Sequence, residues 1–209
     1  MSIKDGEDHG HHGHHGKNKM FRRVFIFVAG FILLVVFAIL IIWLVLRPAK
    51  PKFYLQDAAV TTFNISGGAA AMLTVTLQIT LSTRNPNDRV GVYYDKLDAF
   101  AAYRSQQITF PTAIPPTYQG HHDVVVWSPF LYGMNVPIAP YVSTSLGQDK
   151  SSGLLLLNVK VNGRLRWKVG SWTSGGYHIF VVCPAVLTFN GGHSPTIRFQ
   201  QISTCSVDV

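Results

Sequence analysis

The stretch from Arg84 to Asp95, RNPNDRVGVYYD, crowds arginines, carboxylates and tyrosines into one short segment. Acid–base catalysis would need its carboxylates on a common face. Pro86 drives Asn85 out of helical geometry, and asparagine and proline both favour turns. On a strand, Tyr93 and Tyr94 face opposite sides, and Asp95 and Asp98 diverge, which is poor geometry for paired carboxylates. Arg84, Asn87, Asp88 and Arg89 then lie on a solvated corner. The stretch reads as a change of chain direction rather than an active site.

His121-His122-Asp123 offers metal-ligand types, but neighbours on a strand point apart. Only His121 and Asp123 could share an ion, and other ligands would have to come from elsewhere. His9, His11, His12, His14 and His15 lie in a Gly-rich tail that divalent metals would touch weakly. No Gly-x-Ser-x-Gly elbow, phosphate-cradling glycine loop or His-Glu-x-x-His helix occurs. No catalytic residue, cofactor or metal centre is therefore assigned, and the chain is read as a non-enzyme.

Two sets remain. Lys160, Arg164, Arg166 and Lys168 alternate along one strand face. They form either a candidate anion-binding face or a solvated surface balanced by carboxylates of neighbouring strands. Cys183 and Cys205 are an even pair suited to an oxidising compartment. A bridge between them would stabilise by about 3 kcal/mol on the chain-entropy model; the alternative is two buried free thiols.

The elements that position these groups follow from hydropathy. Val24 to Leu46 has 23 residues without charge or proline. As a helix it reaches roughly 35 Å, enough to cross a hydrocarbon core of about 30 Å. A transmembrane helix is expected over 20–47, behind a disordered tail (1–19) and ahead of a Pro-stiffened stalk (48–52). The net charge of +8 concentrates around this segment, with eight Lys/Arg against three Asp/Glu up to Lys52. It concerns lipid headgroups rather than nucleic acid, and membrane lipids are expected along Val24–Leu46. Lys17, Lys19, Arg22 and Arg23 precede the segment, and Arg47, Lys50 and Lys52 follow it, which favours a cytosolic amino terminus. The cysteines and the sequon at Asn64 both fall beyond the segment, which places the large domain outside the cytosol.

From Phe53 onward the dominant period is two. Leu73 to Ser82 alternates apolar and polar without a break, and so does Leu157 to Val169, with Gly163 on the inward side marking a bulge or close approach. Weaker strands are expected near 54–65, 91–104, 118–127, 177–183 and 196–206. Ser128 to Gly153 breaks the pattern, with one short helix around Pro140–Gly147. The fold class is all-β: an antiparallel, immunoglobulin-like sandwich of about seven strands over 53–209.

The motif order is FYLQDA (Phe53–Ala58), RNPN (Arg84–Asn87), GVYYD (Gly91–Asp95), PPTYQGH (Pro115–His121), WSPFLYG (Trp127–Gly133) and RLRWKVG (Arg164–Gly170). With the basic tail and single apolar segment ahead of it, it resembles the plant NDR/HIN-like proteins, which carry a late-embryogenesis-abundant group-two domain. Asn85, Pro86, Asn87, Tyr93, Tyr94 and Asp95 match the family signature and bring no catalytic role with them. The resemblance implies a single-pass protein of the plant plasma membrane, often at plasmodesmata, active in defence and the hypersensitive response. A cell-surface protein or cell-wall component is the expected partner. It equally permits a stress-protective or lipid-binding domain without a dedicated signalling partner. Acylation at amino-terminal cysteines and a carboxyl-terminal lipid anchor are not expected.

Overall fold

The computed structural model of the chain describes residues 15–45, 48–66, 71–189 and 197–209. Two compact units emerge, Met1–Arg47 and Pro48–Val209. The first contains helix α1 (His15–Val45). Within it, Met20–Ile41 is long and apolar enough to cross a membrane, and none of that stretch is buried against protein. The helix begins at His15 rather than at residue 20, because Lys17 and Lys19 are good helix formers and do not interrupt the ladder. The histidines from His9 to His14 lie outside the described residues, as do Leu46 and Arg47.

The second unit is built from β1 (Lys52–Ser66), β2 (Met72–Arg84), β3 (Gly91–Tyr103), β4 (Gln106–Gln107), β5 (Thr112–Ile114), β6 (Thr117–Gln119), β7 (Val124–Trp127) and β8 (Phe130–Pro137). Helix α2 (Pro140–Ser152) follows, then β9 (Leu154–Val169), β10 (Trp172–Thr173), β11 (Tyr177–Phe189), β12 (Ile197–Phe199), β13 (Ser203–Thr204) and β14 (Ser206–Asp208). Pairing is antiparallel, in the order β4-β3-β9-β11-β12-β1-β2-β7, with β8 also on β2. Two groups of long strands, β3–β9–β11 and β1–β2–β8, turn their apolar faces to one core. The all-β antiparallel class expected from the period-two pattern is the one observed. Among the described residues, fourteen strand segments exceed about seven because short pieces such as β4, β10 and β13 extend the edges.

Burial explains the ladder. Leu73, Val75, Leu77, Ile79 and Leu81 of β2 are buried, and the polar residues between them are partly exposed. Leu155, Leu157, Val159, Val161, Leu165 and Trp167 do the same for β9. The short β12 pairs with both β11 and β1, so one continuous ladder joins the two groups on this side. Across the molecule, the Phe110 amide donates to the Tyr132 carbonyl at 2.8 Å, tying the β4–β5 connection to β8.

Several boundaries depart from the sequence reading. Ser128 to Gly153 holds strand β8 as well as a helix. That helix runs on to Ser152, since the solvent-facing Gly147 does not stop it; Gly153, at φ 79°, does. The single strand expected over 118–127 is two strands, broken by a turn in which His122 adopts φ 56°. Strand β11 continues past Cys183 to Phe189 despite Pro184. Around Pro184 its only ladder partner among the described residues is β9, because β14 pairs with Phe180–Val182 and β12 with Leu187–Phe189. A missing amide is tolerated on such an open side.

Candidate functional site

The Asn85-Pro86-Asn87 corner links β2 to β3 and is locked from inside. Asn85 is fully buried and uses its whole side-chain amide. Its Nδ2 donates to the Val90 carbonyl at 2.7 Å and the Gly120 carbonyl at 2.8 Å. Its Oδ1 accepts from the Asn87 amide at 3.1 Å and from Asn87 Nδ2 at 2.8 Å. Asn87 is buried too, against the expectation of a solvated residue. Its Oδ1 accepts from the Ala49 amide at 2.7 Å and its Nδ2 donates to the Ala49 carbonyl at 2.9 Å. The stalk is therefore clamped, on both polar groups of one peptide residue, to the corner between β2 and β3. Arg84, Asp88 and Arg89 do lie exposed.

Beneath the corner is a buried polar chain. The Tyr94 hydroxyl donates to Gln119 Oε1 at 2.9 Å and lies 3.2 Å from Thr83 Oγ1. Gln119 Nε2 donates to the carbonyls of Thr83 and Asp123, each at 2.8 Å. Burial drives the Tyr94 phenol far above its ordinary pKa, with the Thr83 contact pulling weakly the other way. Phe53, Tyr94 and Trp127 pack around it, with Tyr94 edge-on to Trp127 at 5.6 Å and to Phe53 at 6.1 Å.

The outer face of β3 and β9 carries the basic ladder, and it is split. Arg166 grips Asp95 with two bonds, Nε to Oδ2 at 2.7 Å and Nη2 to Oδ1 at 2.6 Å. That contact, then the carboxylate's charge, raises the Arg166 pKa. Lys168 Nζ donates to the Tyr93 hydroxyl at 3.2 Å and sits over the Tyr93 and Tyr118 rings, and its pKa is raised mainly by that bond. Lys160 and Arg164 have no ion-pair partner among the described residues. Asp95 and Asp98 share this outer face instead of diverging. A β-bulge between Tyr94 and Lys96 inserts one residue and shifts the alternation. Both acids line a groove of about 570 Å³ with Lys96, Arg164 and His178. Each is held by a cation, Asp98 by Lys96 at 3.3 Å, so the pair is not set for acid–base work. Gly163 lies across from the bulge, where a Cβ would overlap the Lys96 carbonyl.

Residues 80–183 match the late embryogenesis abundant protein family, LEA_2. NDR1/HIN1-like protein 1 of Arabidopsis thaliana is 49% identical over 213 residues, covering 99% of this chain and 100% of the relative. The chain belongs to the NDR1/HIN1-like family. NDR1/HIN1-like protein 12 of the same plant is 46% identical over the full length of both chains, and NDR1/HIN1-like protein 26 is 35% identical over 91% of this one. None of these names denotes an enzyme.

In this NDR1/HIN1-like chain, motifs far apart in sequence meet at the end of the domain where the stalk arrives. Phe53, the Asn85–Asn87 pair, Tyr94, Gln119 and Trp127 come from five motifs and form one lock. Gln119, Thr83 and the Ala49 clamp were not singled out from sequence; Gln119 was marked only by its place in PPTYQGH. Cys183 and Cys205 are bridged, and the Cys205 amide donates to the Phe53 carbonyl at 3.0 Å. Cys183 sits within β11 rather than at a strand end, and Cys205 lies between β13 and β14, which pair with β1 and β11 respectively. The bridge thus fastens the last segment across both. Asn64 is exposed near the end of β1. His122 Nε2 meets Asp88 Oδ1 at 2.6 Å. Among the described residues no three His, Cys, Asp or Glu side chains group as metal ligands.

Proposed function

We propose that this NDR1/HIN1-like protein is a single-pass plasma-membrane protein that displays its β domain outside the cell as a non-catalytic binding or scaffolding component in plant defence. The observation that carries this reading is the Asn87 clamp on Ala49. It makes Ala49, four positions along the chain from the last residue of α1, an integral part of the domain. A domain so tethered is confined to the layer next to the bilayer, where confinement raises its effective concentration for partners in the same layer. The bridged cysteines suit an oxidising compartment, and the exposed Asn64 offers a glycan site on the same side of α1. The corner and the groove support binding rather than turnover, since Asp95 and Asp98 are held by Arg166 and Lys96, Asp123 accepts from the Gly120 amide, and Asp88 meets the His122 ring.

The test is proximity labelling from the β domain in leaf cells, with and without immune elicitation. The expected result is labelling of surface and wall proteins, with a set that changes on elicitation. Labelling of cytosolic proteins, or a set indifferent to elicitation, contradicts the proposal.

A further inference from the structure

Lys52, the first residue of β1, lies directly across from Arg84, the last of β2, and both side chains point outward. Like charges in such a cross-strand pair repel one another. Neither has an ion-pair or hydrogen-bond partner among the described residues. Elsewhere on the domain, Lys50, Lys96 and Arg166 each have a carboxylate. Lys52 and Arg84 instead open, with Tyr54, Pro86 and His122, onto a pocket of about 230 Å³ that no carboxylate lines. The nearby acid, Asp88, is turned to the His122 ring at 2.6 Å and holds it at the rim. His122 keeps φ 56°, and its turn is fastened by the Asn85 amide on the Asp123 carbonyl and the Gly120 amide on Asp123 Oδ2. Two cations, a phenol and an imidazole therefore converge on the pocket, and the one neighbouring carboxylate, Asp88, is engaged by the His122 ring and does not line it.

We infer that this pocket binds the phosphate of a phospholipid headgroup in the membrane that holds α1. The guanidinium of Arg84 and the ammonium of Lys52 supply charge-assisted hydrogen bonds to phosphate oxygens. Tyr54 lines the same pocket and brings a hydroxyl for a remaining oxygen, while the His122 ring, engaged by Asp88, forms its wall. The source is set by reach. Pro86 belongs to the same corner that clamps Ala49, which follows the last residue of α1 by only four positions in the chain. The inference rests on the membrane reading proposed above.

The experiment uses the full chain reconstituted in phospholipid nanodiscs, with lysine acetylation rates read by mass spectrometry. Lys50, two residues away and paired with Asp208, serves as the internal reference. Lys52 is expected to react about tenfold more slowly in nanodiscs than in detergent, the factor one charge-assisted bond supplies. Arg84→Gln is expected to restore the Lys52 rate and leave Lys50 unchanged. A chain that enters nanodiscs while Lys52 reacts as in detergent overturns the pocket but not the membrane reading. A chain that does not enter them overturns the membrane reading, and the pocket's lipid source with it. Equal protection by inorganic phosphate in detergent identifies a soluble-phosphate site and overturns the lipid source.

Discussion

Replacing Asn85 with alanine removes four hydrogen bonds at once and leaves their partners in place. The Val90 and Gly120 carbonyls lose their donor, and the Asn87 amide and Nδ2 lose their acceptor. An orphaned buried group costs about 1–3 kcal/mol. Water can reach the Gly120 carbonyl, which is only part-buried, so the four losses do not sum in full. We expect Asn85→Ala to lower stability by about 3–5 kcal/mol, a large fraction of the roughly 5–15 kcal/mol that holds a typical domain together. At about 2–4 °C per kcal/mol for a domain of this size, the midpoint falls by about 10 °C. Asn85→Asp should be at least as harmful, since it sets an oxygen against the two carbonyls. The assay is urea and thermal unfolding of the full chain in detergent micelles, followed by tryptophan fluorescence; Trp127 packs near the corner. A loss below about 1 kcal/mol for Asn85→Ala refutes the reasoning that the signature asparagine is the internal lock of the corner.

Joint replacement of Cys183 and Cys205 by alanine should cost about 3 kcal/mol in the same unfolding assay, by releasing the last segment from β11; no change would mean that β13 and β14 hold it unaided. Gly163→Ala should cost about 1–3 kcal/mol, because the new Cβ meets the Lys96 carbonyl and the bulge must shift. The Tyr94 phenol is raised, so its proton is preferred in the fold. That contribution is complete below the unfolded phenol value of about 10 and is lost as pH rises through the higher folded value. Alkaline titration should therefore show the Tyr94 phenolate appearing only with unfolding, and Tyr94→Phe should remove that part of the alkaline loss. Ionisation of Tyr94 in an intact fold would contradict it.

Legibility in the sequence depended on whether a strand's outer face is polar. β2 and β9 alternate Leu, Val or Ile with Thr, Asn, Lys or Arg, so their period was plain. β8 was hidden because its outward residues Phe130, Tyr132 and Met134 are themselves apolar, which erases the alternation. β11 reads as ending at Cys183 because Pro184, which has no amide to give a ladder, looks like a stop. The shared face of Asp95 and Asp98 needs a bulge that no local residue announces. At the corner, Asn85 and Pro86 signalled a turn, but the burial of Asn87 depends on Ala49, a partner 38 residues away. The carboxylate for Arg166 likewise comes from another strand. Local chemistry located the corner, and only tertiary pairing revealed that it is a clamp on the stalk.

The most direct test of the account is topology of the full chain, with a carboxyl-terminal epitope, at the surface of intact plant cells. External protease should remove the epitope, and glycosidase should shift the mobility of the native protein through Asn64. An epitope fully protected from protease until the membrane is opened would contradict it.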